Sequence, residues 1–308
     1  MGVCAAPAFR GVFSLLLTPF TSRGEIDWPL YDEYVDWQLS HRPDGLFAVC
    51  GSSEMKWLSL DERLELARRA ARRAGCVPVV ATANLSPDAD AHPEEIRRMA
   101  DAGVGGLVLV PPDGMGKHPA LLEEYLGRMA LAAHVAGRPV LLYEWPEVDD
   151  HLLSPETFAR LVERFGVGGI KDTTCTLEGI RAKIAAAGEH ASVFQANTPF
   201  LLDAVLAGAK GVMAITSTAC PDAVISFWEA ASARAPEAEG RHRRLVFLDS
   251  VLRFSYPATA KHLLSLRGVP FLPYCRWPVR SRPEDVRALE AVFAALLQTQ
   301  KEGGLQVG

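Results

Sequence analysis

Eight short, nearly unbroken apolar runs recur along this chain, with helix-patterned segments between them. The runs are GVFSLLLTP, DGLFAVC, VPVVATA, GGLVLVP, PVLLYEW, GGIKDT, SVFQAN and GVMAITS. A strand that alternates apolar and polar residues has one wet face. A strand that is apolar throughout must be covered on both faces, as in a parallel sheet flanked by helices. The intervening segments carry helix start signals at Ser59, Ser154 and Thr176, early prolines at Pro155 and Pro199, and closing glycines at Gly75, Gly103, Gly137, Gly166, Gly188 and Gly208. Eight βα units without a break in composition predict an α/β fold of the (β/α)8 TIM-barrel type. A doubly wound sheet is the competing arrangement, but no glycine-rich dinucleotide turn follows the first run. From Pro221 onward the pattern is helix upon helix, which predicts a C-terminal helical appendage. On this reading, residues 1–225 form the catalytic barrel and residues 226–308 a helical extension.

Composition narrows the partners. The 308 residues carry a net charge of −5 with both signs interspersed, which argues against a nucleic-acid partner. The RRAARR run at Arg68–Arg73 reads as a solvated helix face. GVFSLLL is too short to span a bilayer, so no membrane partner is expected. Six cysteines lie far apart, with no CxxC pair and no zinc-type spacing. Free thiols in a reducing cytoplasm are therefore expected, with no metal and no cofactor.

In a parallel barrel the active site lies at the C-terminal ends of the strands. The polar groups that fall there include Gly51, Ser52, Ser53 and Glu54 after the second strand. Tyr143 and Glu144 follow from the fifth, Lys171 and Asp172 from the sixth, and Ala214 and Thr216 from the eighth. Lys171 is the odd member. It ends an apolar run in a chain with seven lysines against twenty-five arginines. A lysine at a dry strand end is desolvated, which disfavours the ammonium and lowers its pKa from about 10.4. The neutral amine is a nucleophile toward a carbonyl, and that chemistry is a Schiff base with an oxo substrate. A tyrosine hydroxyl beside a serine hydroxyl can relay the protons that imine formation needs. A strand-end lysine can equally be half of an ion pair, here with Asp172 or a carboxylate of a neighbouring strand. The residues alone leave both readings open.

The segments LLLTPFTSRGEID, GLFAVCGSSE, LLYEWP, GGIKDTT and GAKGVMAITS, in that order and spacing, resemble the dihydrodipicolinate synthase and N-acetylneuraminate lyase family over nearly the whole chain. The resemblance implies a class I aldolase-type lyase acting on pyruvate or a related 2-oxo acid, in a homotetramer built as a dimer of dimers. It assigns the imine to Lys171, proton transfer to Tyr143 and the coupled hydroxyl to Ser52. Ser53 and Gly51 lie on the loop that would hold the substrate carboxylate by backbone N–H groups. A shift of one residue would exchange Ser52 and Ser53, so both stay candidates. Met213 and Ala214 form part of the substrate-binding wall. Glu144 stands where the family has Asn and adds a possible acid or base beside Tyr143.

The chain also departs from the family. Pro112 and Asp113 stand where dihydrodipicolinate synthases carry a tyrosine lent to the neighbouring subunit. Val148 falls near the place of an arginine that clamps the second substrate's carboxylate, among Glu147, Asp149 and Asp150. Without that fork of donors a bidentate carboxylate contact is lost. A keto-deoxy sugar-acid dehydratase or aldolase, or a non-catalytic 2-oxo-acid binder, are the alternatives on the same scaffold.

Overall fold

The computed structural model describes residues 9–144, 152–279 and 281–301. All eight apolar runs form strands, and the strands close in sequence order into a parallel barrel. They are β1 (Gly11–Leu15), β2 (Gly45–Val49), β3 (Val79–Thr82), β4 (Gly106–Leu109), β5 (Val140–Tyr143), β6 (Gly169–Asp172), β7 (Ser192–Gln195) and β8 (Gly211–Val212). Closure is made where Gly11 and Val12 of β1 pair with Gly211 and Val212 of β8. The interior is packed, as a barrel of eight strands requires. Phe13 and Phe194 meet edge to face at 5.1 Å inside it. They fit because a Cβ on Gly45 or on Gly211 would come within 2.4 Å of one of those rings.

The helices follow the start and stop signals. They are α1 (Trp28–Ser40), α2 (Leu60–Ala74), α3 (His92–Asp101), α4 (Pro119–Val135), α5 (Pro155–Phe165), α6 (Leu177–Ala187) and α7 (Leu201–Ala207). Ser59 caps α2 in a reciprocal box with Glu62, Ser154 caps α5 and Thr176 caps α6. Each cap satisfies an amide that the helix leaves unpaired. Gly166 and Gly208 end α5 and α7 with positive φ, the conformation that costs glycine least. On α2, Arg68, Arg69 and Arg73 pair with Glu65, Asp32 and Asp36 across a wet surface.

The eighth barrel helix, α8 (Pro221–Ser232), spans residue 225 and packs against β1. Beyond it lie α9 (Ala238–Leu252), α10 (Ala258–Leu266) and α11 (Pro283–Lys301), with α9 on α7 and α8 and α11 on α9 and α10. The extension is tied to the barrel by charge as well as packing. Arg276 donates to both oxygens of Glu62 at 2.8 Å and to the carbonyls of Gly24 and Trp57. Trp277 stacks on Trp57 with ring centroids 4.8 Å apart. Among the described residues no helix is long and apolar enough to cross a membrane.

One expectation about the cysteines is corrected. Cys50, Cys175, Cys220 and Cys275 are free, but Cys76 is disulfide-bonded. Bonding depends on the approach of two sulfurs in space, and separation along the sequence does not report it.

Candidate active site

Lys171 and Tyr143 are register partners at the C-terminal ends of β6 and β5. Both are buried, at 4% and 3% exposure. The Lys171 ammonium lies 4.2 Å from the centroid of the Tyr143 ring and 5.5 Å from that of Phe47 on β2. Phe47 and Tyr143 meet edge to face at 5.9 Å. The ring faces offer the amine some cation–π attraction in place of a counter-ion. Among the described residues no ion pair includes Lys171, and desolvation lowers its pKa to about 8. The ion pair with Asp172 left open above does not form, because Asp172 leaves on the other side of the strand.

That other side is a separate polar layer. Successive residues of a strand point to opposite faces, so Glu144 and Asp172 turn toward the helices while Tyr143 and Lys171 turn inward. Lys183, from the buried stripe of α6, enters between the two carboxylates. Its ammonium bonds Glu144, Asp172 at 3.1 Å and the Thr174 hydroxyl at 2.7 Å. Glu144 also accepts from the amides of Leu153 and Thr173, each at 2.9 Å. Gln195 Nε2 donates to the far oxygen of Asp172 at 3.0 Å. Burial raises the Glu144 pKa to about 7 against the opposing pull of Lys183. Expected beside Tyr143 as an acid, base or substrate ligand, Glu144 instead has both oxygens engaged in this outer layer.

The loop after β2 completes the mouth of the barrel. Gly51–Ser53 forms a single 3-10 turn, and Glu54 follows it in the left-handed region at φ 62° and ψ 36°. A non-glycine residue there carries strain of roughly 1–2 kcal/mol. The surroundings hold it in place. The Glu54 carboxylate is fully buried, receives Lys261 of α10 at 2.6 Å and accepts the Trp277 amide at 2.8 Å. The structure also separates the two serines. Ser53 Oγ accepts from the Cys50 amide and donates to the Cys50 carbonyl, both at 2.8 Å, so its hydroxyl staples its own turn. Thr18 donates to the Ser53 carbonyl at 2.7 Å. Ser52 Oγ instead receives the hydroxyl of Tyr256 at 2.5 Å.

Met213 and Ala214 are buried where β8 ends, and the Met213 amide donates to the Gln195 carbonyl at 3.0 Å. Asp113, after β4, lies 3.3 Å from Lys56 on the exposed rim. Val148, with Glu147, Asp149 and Asp150, lies outside the described residues. No group of three or more metal-ligating side chains occurs among the described residues.

A family model described as the dihydrodipicolinate synthetase family matches residues 8–296. The chain belongs to this family. It is an enzyme of the lyase class, on the class I aldolase-type barrel that family members share. Among curated relatives, the 4-hydroxy-tetrahydrodipicolinate synthase of Bradyrhizobium diazoefficiens is 28% identical over 278 residues, covering 86% of this chain and 89% of the relative. The probable 2-dehydro-3-deoxy-D-pentonate aldolase YjhH of Escherichia coli is 24% identical over 287 residues, covering 91% and 94%. Among solved structures, YagE of Escherichia coli, a prophage protein of the same family in complex with pyruvate, superposes with a TM-score of 0.83 at 24% identity over 95% of this chain and 99% of that one.

Lys183, Tyr256 and Lys261 were not singled out by sequence, whereas Gln195 falls with the polar groups at the strand ends. The lysines carried a legible signal. Lys183 falls on the apolar stripe of α6 with Ile180 and Ala187, and Lys261 falls among the buried residues of α10. Each is the same anomaly that drew attention to Lys171.

Proposed function

We propose that this protein is a Schiff-base lyase that acts on pyruvate or a related 2-oxo acid through an imine on Lys171. One observation carries the reading: Lys171 is buried at a strand end, against two aromatic rings and with no described carboxylate partner, and its pKa is lowered to about 8. An amine with that pKa has a substantial neutral fraction near physiological pH, which a nucleophile requires and a structural ion pair forbids. Tyr143, whose ring centroid lies 4.2 Å from the amine, transfers protons. Ser52 is the coupled hydroxyl. The substrate carboxylate rests on the Gly51–Ser53 turn: the Ser53 amide already donates to the Cys50 carbonyl at 3.1 Å, and the donors are the Gly51 and Ser52 amides, which the turn itself leaves unpaired. Met213 and Ala214 wall the pocket. The imine then acts as electron sink for aldol cleavage, condensation or dehydration.

Incubation with pyruvate and borohydride, followed by peptide mass mapping, tests this. A reduced adduct on Lys171 is expected. No adduct across a panel of 2-oxo acids overturns the reading.

A second reading narrows the partner to a keto-deoxy sugar acid. It is supported by the likeness to the YjhH aldolase over 91% of this chain, and by Val148 near the place of the arginine that would clamp a second carboxylate. Turnover of 2-keto-3-deoxy sugar acids with poor condensation of aspartate semialdehyde would favour it, and the reverse preference would remove it. The family resemblance also supports a homotetramer, which mass measurement in solution checks.

A further inference from the structure

The C-terminal appendage reaches the mouth of the barrel through Tyr256, between the 3-10 turn Arg253–Ser255 and α10. The Tyr256 hydroxyl donates to Ser52 Oγ at 2.5 Å, across 204 positions of sequence. A serine hydroxyl that accepts one bond still has its own proton to give. Phe47, on the strand that leads into the same loop, lies with its ring centroid 5.5 Å from the Lys171 ammonium. The Ser52–Tyr256 pair therefore stands just beyond the end of a strand that faces the amine. The segment that carries the tyrosine is fixed to the same loop a second time by Lys261 on Glu54 at 2.6 Å. The place after β4, where the family resemblance put a tyrosine, holds Asp113 paired with Lys56.

We propose that Tyr256 is a proton-relay residue of this active site, acting through Ser52, so that the relay is completed within one chain by its own appendage. The proposal rests on the imine reading above. In that step the Lys171 nitrogen bonds the substrate carbonyl carbon, and the carbon–oxygen bond then breaks. The two N–H protons of the neutral amine end on the departing oxygen, which leaves as water. With no described carboxylate beside Lys171 to carry those protons, a chain of hydroxyls does so. Tyr256 passes a proton toward the pocket through Ser52 and takes one back, so the phenol begins and ends neutral. Burial pushes its pKa well above the ordinary tyrosine range, which keeps it neutral between transfers. Tyr256 is a positioning and relay group rather than a catalytic residue, since it reaches the reacting atoms only through Ser52.

The test compares wild type, Tyr256→Phe, Ser52→Ala and the double variant. Borohydride trapping with pyruvate is read beside exchange of the pyruvate methyl protons in deuterium oxide by NMR. The relay predicts an adduct at Lys171 in all four proteins. It predicts exchange slowed about 10²-fold in each single variant, with KM for pyruvate changed by less than about threefold. The double variant is no slower than the slower single one, because the two groups act in series. Imidazole buffer speeds Tyr256→Phe but not wild type, which a merely structural tyrosine would not show. If Tyr256→Phe folds poorly, Ser52→Ala reads the same relay from its other end and must lose the same factor. Wild-type exchange in Tyr256→Phe, or losses that multiply in the double variant, overturns the relay while leaving the imine intact. An absent adduct in wild type overturns both.

Discussion

Lys171 and Lys183 lie on opposite sides of one strand layer, and burial has done different things to them. Lys183 stands between the helices and the strands, held by Glu144, Asp172 and the Thr174 hydroxyl. Lys171 stands inside the barrel mouth against the rings of Tyr143 and Phe47, with no described counter-ion. Lys261, the third buried lysine described, resembles Lys183: Glu54 holds it. A buried ammonium with carboxylates is a structural tie. A buried ammonium without them is pushed toward the free amine. What separates the two braces from the proposed nucleophile is the partner, since burial is common to all three.

The largest expected effect comes from removing the unpaired lysine. Lys171→Ala should lower adduct formation and turnover by about 10³-fold or more, equivalent to at least about 4 kcal/mol, while circular dichroism shows the fold intact. Retained trapping would make Lys171 another brace. Next is Lys183→Met, which strands Glu144 and Asp172 in the outer layer. It should cost roughly 3–5 kcal/mol of stability, as breaking a buried pair does, and be visible as a fall in thermal midpoint. A neutral result would mean that the two carboxylates are satisfied without the lysine.

The third effect has the opposite sign. The Lys171 pKa is about 8 when folded and about 10.4 when unfolded. Between those values the unfolded chain binds more protons, so this residue's contribution rises with pH. Its cost is fully present below about pH 8 and fades as the pH approaches 10.4. Lys171→Met should therefore stabilise the fold by up to about 3 kcal/mol near pH 7, with the gain shrinking toward pH 10. A variant less stable than wild type at pH 7 would show that the ammonium is held after all.

The smallest effect converts one kind of lysine into the other. Cys50 already acts on Lys171 in the direction that raises its pKa. Cys50→Asp would supply a full counter-charge and should move the pH midpoint of adduct formation upward by about 1–2 units. An unmoved profile would mean that the thiol position does not face the amine.

Much of the barrel was legible because its signals are local. An apolar run marks a strand covered on both faces, and Ser59, Ser154 and Thr176 mark helix starts by chemistry that acts within three residues. Lys171 was legible for the same reason, as a charge at the end of an apolar run. Glu144 was misplaced although the means to place it were present. Strand alternation puts it on the face opposite Tyr143, and adjacency in sequence along a strand is not adjacency in space. Tyr256 carried no local signal. Its meaning lies wholly in a bond to a residue near the other end of the chain, and neither periodicity nor turn chemistry reports such a contact.

The Glu54 carboxylate is fully buried, and its partners lie 207 and 223 positions later, at Lys261 and Trp277. Domains emerge from the ribosome N-terminal end first, at about 5–20 residues per second. The loop after β2 is therefore among the first parts of the mouth to be made and among the last to find its partners. Until Lys261 and Trp277 are made Glu54 has no mate, so the nascent barrel carries a hydrated carboxylate at the place where the loop after β2 must set. The appendage then acts as a timer: the loop takes its final shape only after residues 261 and 277 have been made.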